Sequence, residues 1–307
     1  MRAVLDSRTP LAAEGGAMTL DRWELLRMLG AVAANRATAR AAGAAALGLP
    51  PCGDTEAAEV FTVNCPPYAS VYLGAASTGR LAAFWAATGL AVPPEPDHLT
   101  TLLGLYARLG EAAAESVQLR QAQFRQAQFR QTLFREHLWP WLPAFLAAVS
   151  DLPGGALTPC AELTLRALRR ERERDRDWDG PLPLALRQAP PADADGGPGD
   201  LLDRLTTPLR SGIILTRRAV AAGADLVGAG QRIGDRSRAL GVMLAAEPER
   251  TADWLADEAD RWSRRHLAGV PGTLGDQVQQ WWAGRAAHTA RVLRAGYPAV
   301  AGISVAH

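Results

Sequence analysis

Asp97 and His98 stand side by side in "PPEPDHLTTLLGLYARL" (93–109). An acid next to a histidine is the pairing from which general acid–base and metal sites are built. Neighbours on a helix point about 100° apart, so these two do not form a dyad with each other. A purely structural reading is just as concrete: Pro96 keeps Glu95 extended, Asp97 caps the helix that follows, and His98 sits in its first turn beside Leu99. Elsewhere the chemistry-bearing residues are sparse. The histidines at 98, 137, 266, 288 and 307 never fall three or four residues from one another or from a cysteine, so local spacing supports no metal site. Phosphate-loop, dinucleotide, serine-nucleophile and HExxH signatures are all missing from the sequence. "GAGQRIGDR" (228–236) has spaced glycines without a preceding strand or a lysine, and reads as a helix-to-helix turn.

The elements that must position Asp97 and His98 are helical. Leu99, Leu102, Leu103, Tyr106 and Leu109 recur at one face of an α-helix. "SVYLGAASTGRLAAFWAATGL" (70–90) reads as a helix ending at Gly89, and "LDRWELLRMLGAVAAN" (20–35) as another. The only short strand candidate is "SGIILT" (211–216), and an all-α class follows. A five-residue repeat (LRQAQ, FRQAQ, FRQTL, FREHL) occupies 119–138. Each repeat advances about 140° around a helix, so Phe124, Phe129 and Phe134 cannot share a face and Arg125, Arg130 and Arg135 cannot form one basic stripe. Pro140 and Pro143 should kink or restart the helix after this repeat. "RRERERDRDWD" (169–179) reads as a solvated helix end, and the Pro, Gly and Asp content up to 200 as a linker. "TLGDQVQQWWAGRAAHTARVL" (273–293) reads as the last helix, with Trp281 and Trp282 in its core. The expected organisation is a flexible tail over 1–17, a helical domain over 18–176, a linker over 177–199 and a C-terminal helical module over 200–296.

Bulk properties narrow the setting. With 307 residues, 48% of them hydrophobic, the chain can bury a sizeable core. A formal charge of +1 gives no general drive toward nucleic acid or acidic membranes. Every cationic side chain other than histidine is arginine, which reads as codon bias rather than function. Cys52, Cys65 and Cys160 are too few and too widely spaced for a disulfide framework, so a reducing compartment is expected. Neither a membrane-spanning run nor the ordered parts of an export signal appear, and a cytoplasmic location is expected.

Three blocks in order resemble the TorD/DmsD/NarJ-type family of redox-enzyme maturation chaperones: "CPPYASVYLG" (65–74), "EPDHL" (95–99) with its amphipathic helix, and "FREHLWPWLPAFLAAV" (134–149). "FWAATGL" (84–90) fits the helix that precedes the family's Asp-His motif, and the likeness covers about 18–176. The resemblance implies an all-helical, non-catalytic protein without metal or cofactor. Its partners would be the twin-arginine leader and the cofactor-free catalytic subunit of a molybdopterin oxidoreductase, held back until the cofactor is inserted. It also allows a homodimer made by exchanging halves. Carried over by position, the client-binding residues are Asp97 and His98, with Glu95 and Pro96 beside them and Tyr68, Ser70, Tyr72, Trp85 and Leu99 flanking the same groove. Glu95 and Asp97 would meet leader arginines, the aromatics and Leu99 an apolar stretch. His137, Trp139 and Trp141 are carried as packing with client contact open. Two other readings stay open: a helical enzyme using His98 with a distant acid, and a scaffold or regulator acting through the C-terminal module.

Overall fold

The computed structural model describes residues 20–115, 120–153, 155–175, 180–190, 198–230, 235–268 and 276–296. The expected tail over 1–17, parts of the linker (177–179 and 191–197) and residues 231–234 of the glycine-spaced turn lie outside the described residues. Every regular element among the described residues is helical, and β pairing is confined to an isolated bridge between Tyr68 and His98. The all-α expectation holds. No described helix is long and apolar enough to cross a membrane.

The chain divides into two compact units. One comprises the described residues up to 62, with 66–69 and 76–180; the other comprises 63–65, 70–75 and the described residues from 181 onward. In chain order the described α-helices before residue 180 are α1 (Arg22–Val32), α2 (Ala37–Ala46), α3 (Asp54–Ala57), α4 (Ala69–Leu73), α5 (Ala76–Ala87), α6 (Leu99–Glu115), α7 (Arg120–Thr132), α8 (Leu142–Ser150) and α9 (Leu157–Arg174). Asp21 starts α1 by accepting the N–H groups of Trp23 and Glu24. Leu26, Leu29 and Val32 are buried along one side of α1, and Thr100 of α6 donates its hydroxyl to the Gly30 carbonyl at 2.7 Å. On α6 the five periodic positions, Leu99 through Leu109, are all buried.

Two differences from the expected elements have local causes. The helix expected over 70–90 is broken into α4 and α5 at Gly74, whose φ of +82° lies where side chains are strained. Ahead of Pro140 the chain widens into a π-helical turn, Leu133–Leu138, in which the Trp139 N–H reaches the Phe134 carbonyl at 2.9 Å. Trp141 then restarts the chain into α8, as the two prolines required. The five-residue repeat scatters as its geometry demands. Phe124 is 66% exposed, Phe129 meets Phe84 edge-on at 5.8 Å, and Phe134 stacks on Trp139 at 5.7 Å.

The second unit contains α10 (Leu184–Arg187), α11 (Pro198–Thr206), α12 (Pro208–Ser211), α13 (Arg217–Val227), α14 (Arg236–Ala246), α15 (Pro248–Leu267) and α16 (Gln277–Arg294). Trp262, His266 and Trp282 pack ring to ring between α15 and α16. "SGIILT" forms no strand. Ile213, Ile214 and Leu215 lie outside any regular element and are buried, and Gly212 turns the chain at φ +76° where a Cβ would collide with the Ala286 backbone. Trp282 is core, whereas Trp281 is part-exposed with the Arg285 guanidinium over its ring at 4.7 Å.

Candidate functional site

The segment from Glu95 to Leu99 lies against residues 67–69. The Ala69 N–H donates to the Asp97 carbonyl at 3.0 Å, and the Leu99 N–H to the Pro67 carbonyl at 2.8 Å. These bonds bracket the Tyr68–His98 bridge and fix both segments at the start of α6. Pro66 and Pro67 cannot donate, and Pro96 restrains Glu95, so rigid, donor-poor chain is what the sequence supplies here. Trp85, part-exposed on α5, donates its indole N–H to the Pro96 carbonyl at 3.4 Å.

The cap of α6 is His98, and this corrects the expectation that Asp97 provides it. The Thr100 N–H donates to His98 Nδ1 at 3.1 Å while the His98 carbonyl accepts from Leu102 at 2.9 Å, which is the position a capping residue occupies. The helix begins one residue later than the Asp-cap reading requires. Because Nδ1 accepts, its proton lies on Nε2, which is buried without a hydrogen-bond partner among the described residues. Burial lowers the His98 pKa, against the opposing pull of Glu95 and Asp97. The ring is only 2% exposed and meets Tyr68 edge-on at 4.8 Å.

The two acids of the turn differ in surroundings. Asp97 is 4% exposed, and its Oδ2 accepts the Thr78 hydroxyl at 3.2 Å. Glu95 is exposed; its Oε1 accepts from the Tyr68 hydroxyl at 2.7 Å and its Oε2 from Asn35 Nδ2 at 3.3 Å. Burial, and then this bond to Glu95, push the Tyr68 phenol above its ordinary value. Tyr68, Trp85, Glu95, Pro96, Asp97 and His98 are thus brought together, and Leu99 lies beneath them in the core. Ser70 and Tyr72 belong to the other unit, where Tyr72 is buried. Trp139 and Trp141 are buried, the latter donating its indole N–H to the His137 carbonyl at 2.8 Å. His137 is part-buried against Phe84, and burial, with Arg80 nearby, lowers its pKa to about 4.

Sequence reasoning missed Asn35 and Thr78, which carry no local signal. It also missed Glu171, which did carry one. Leu157, Cys160, Ala161, Thr164, Leu168 and Glu171 share the buried face of α9, and the periodicity places Glu171 there despite its charge. Among the described residues no group of three or more His, Cys, Asp or Glu is placed to hold a metal ion.

Fold and site together define an all-helical protein whose acid–histidine pair builds a turn beside an exposed carboxylate. A family model described as "Nitrate reductase delta subunit" matches residues 57–147, which include the Pro66–Tyr68 arm, the 95–99 turn and α6. Over that segment the chain is similar to the NarJ/TorD-type family of redox-enzyme maturation chaperones. No curated protein and no solved structure matches the chain.

Proposed function

We propose that this chain binds the twin-arginine leader or the cofactor-free catalytic subunit of a molybdopterin oxidoreductase in the cytoplasm and holds it until the cofactor is inserted. The observation that carries the reading is the family match over 57–147, which contains both chain segments of the Tyr68–His98 bridge. The chemistry of the turn supports it. A leader offers guanidinium groups and an apolar stretch, and the turn offers an exposed carboxylate beside the part-exposed rings of Tyr68 and Trp85. The helical-enzyme reading gains little from the geometry, because His98 spends its acceptor nitrogen on the Thr100 N–H.

The test is affinity capture from the native cytoplasm with the bound proteins identified by mass spectrometry. Enrichment of a twin-arginine-tagged molybdopterin subunit by the wild type is expected. Capture of no such subunit, from cells that express one, would overturn the reading.

A further inference from the structure

We infer that Glu95 is the residue that receives a client guanidinium, and that Asn35 and Tyr68 are the positioning residues that hold its carboxylate ready. The inference rests on the leader-binding reading and deepens it. It separates the two acids of the turn and adds a residue, Asn35, that lies outside the matched family segment.

The first argument is exposure. A guanidinium from another chain can reach Glu95, whereas Asp97 is buried and its Oδ2 is taken by Thr78. The second is charge. Several acids of this fold are already neutralised by arginine: Glu171 by Arg22 and Arg174, Asp175 by Arg135, Asp200 by Arg210, and Asp260 by Arg294. Glu95 instead accepts one bond on each oxygen from a neutral donor, Tyr68 on Oε1 and Asn35 on Oε2. Two neutral donors orient a carboxylate without cancelling its charge. A carboxylate oxygen accepts about two hydrogen bonds, so each keeps a lone pair for the parallel pair of bonds that a guanidinium makes.

The third argument is rigidity. Tyr68 is held by the bridge to His98 and by the ring contact with it. Asn35 follows the end of α1, and its carbonyl accepts from the buried Arg40 Nη1 at 3.0 Å, as does that of Ala34 at 2.9 Å. A carboxylate fixed in this way loses little freedom when a partner arrives, and that saving appears as affinity. His98 and Asp97 then serve the site by building the turn rather than by touching the guanidinium.

The experiment is calorimetric titration of the full chain with two synthetic peptides. One carries a twin-arginine pair ahead of an apolar stretch; the other has citrulline, the neutral isostere, in place of both arginines. The wild type is expected to prefer the arginine peptide. Glu95→Gln should weaken the arginine peptide by about tenfold, the value of one charge-assisted contact, and leave the citrulline peptide unchanged. Asn35→Ala should weaken the arginine peptide alone by about threefold, with an unchanged unfolding midpoint, which a merely structural role would not produce. Asp97→Asn should weaken both peptides alike. If the wild type binds both peptides equally, or Glu95→Gln has the same effect on both, the inference is overturned while leader binding stands. If the wild type binds neither, the leader reading falls with it.

Discussion

Glu171 sits in a run of alternating charge that reads as solvent-facing, yet it is 3% exposed and its carboxylate is shared out among four residues. Arg22 donates to both oxygens, Tyr106 to Oε2 at 2.7 Å and Arg174 to Oε1 at 2.7 Å, with Arg130 at 3.7 Å. Removing one partner of a buried, hydrogen-bonded charge costs far more than removing a surface charge. Glu171→Gln should therefore destabilise the protein by about 3 kcal/mol in urea titration. Its exposed neighbour Glu173→Gln should cost less than about 0.5 kcal/mol. Equal effects would mean that Glu171 is solvated after all. His266 offers a second test at this scale. Its Nε2 meets the Gly212 carbonyl at 2.9 Å, Trp262 and Trp282 flank the ring, and burial, with Arg265 nearby, lowers its pKa from 6.5 to about 4. The neutral ring belongs to the fold, while the unfolded chain takes up a proton first. Its contribution is full above pH 6.5 and is lost as the pH falls toward 4, by up to about 3 kcal/mol. Across that window the stability advantage of the wild type over His266→Gln should shrink, as read from urea midpoints.

At the scale of elements, periodicity was enough to find α6 and its buried stripe, because five apolar positions recurring on one face are what a half-buried helix requires. It did not decide which residue caps the helix. Asp and His are adjacent, and a single rotation of the backbone at residue 97 or 98 settles which side chain faces the first free N–H groups. Statistics favour the acid, whereas pairing of 97–99 with 67–69 imposes His98. Gly74 was equally hidden, since a glycine within an alanine-rich run is helix-compatible until packing demands a positive φ. The cap can be measured. His98→Ala should cost about 1 kcal/mol, and His98→Asn, which retains a short side-chain acceptor, should recover most of it. Hydrogen exchange at Thr100 is the local readout, with faster exchange expected in the alanine variant alone. Unchanged protection in His98→Ala would show that the bond seen at 3.1 Å contributes nothing.

At the scale of the whole molecule, composition marks the Pro-, Gly- and Asp-rich stretch after residue 177 and nothing near residue 63. Yet the second unit takes 63–65 and 70–75 as well as the C-terminal helices. Nothing local betrays this, because the residues that commit those segments are ordinary core types. Cys65, Tyr72 and Leu73 are buried, Asn64 Oδ1 accepts the Arg218 N–H at 3.1 Å on α13, and Leu209 lies 3.5 Å from where a Cβ on Gly74 would stand. A cut in the linker therefore does not separate two self-contained pieces. A fragment ending at residue 180 keeps 63–65 and 70–75 but loses everything else in their unit. It should expose the Tyr72 and Leu73 side chains, and exposed apolar surface of that kind drives association. The expected result for residues 1–180 is a broadened thermal transition, binding of an apolar dye and aggregation at concentrations where the full chain is monodisperse. A fragment that instead melts as sharply as the full chain, without dye binding, would mean that 70–75 can be satisfied within the first unit. The linker would then be a true boundary.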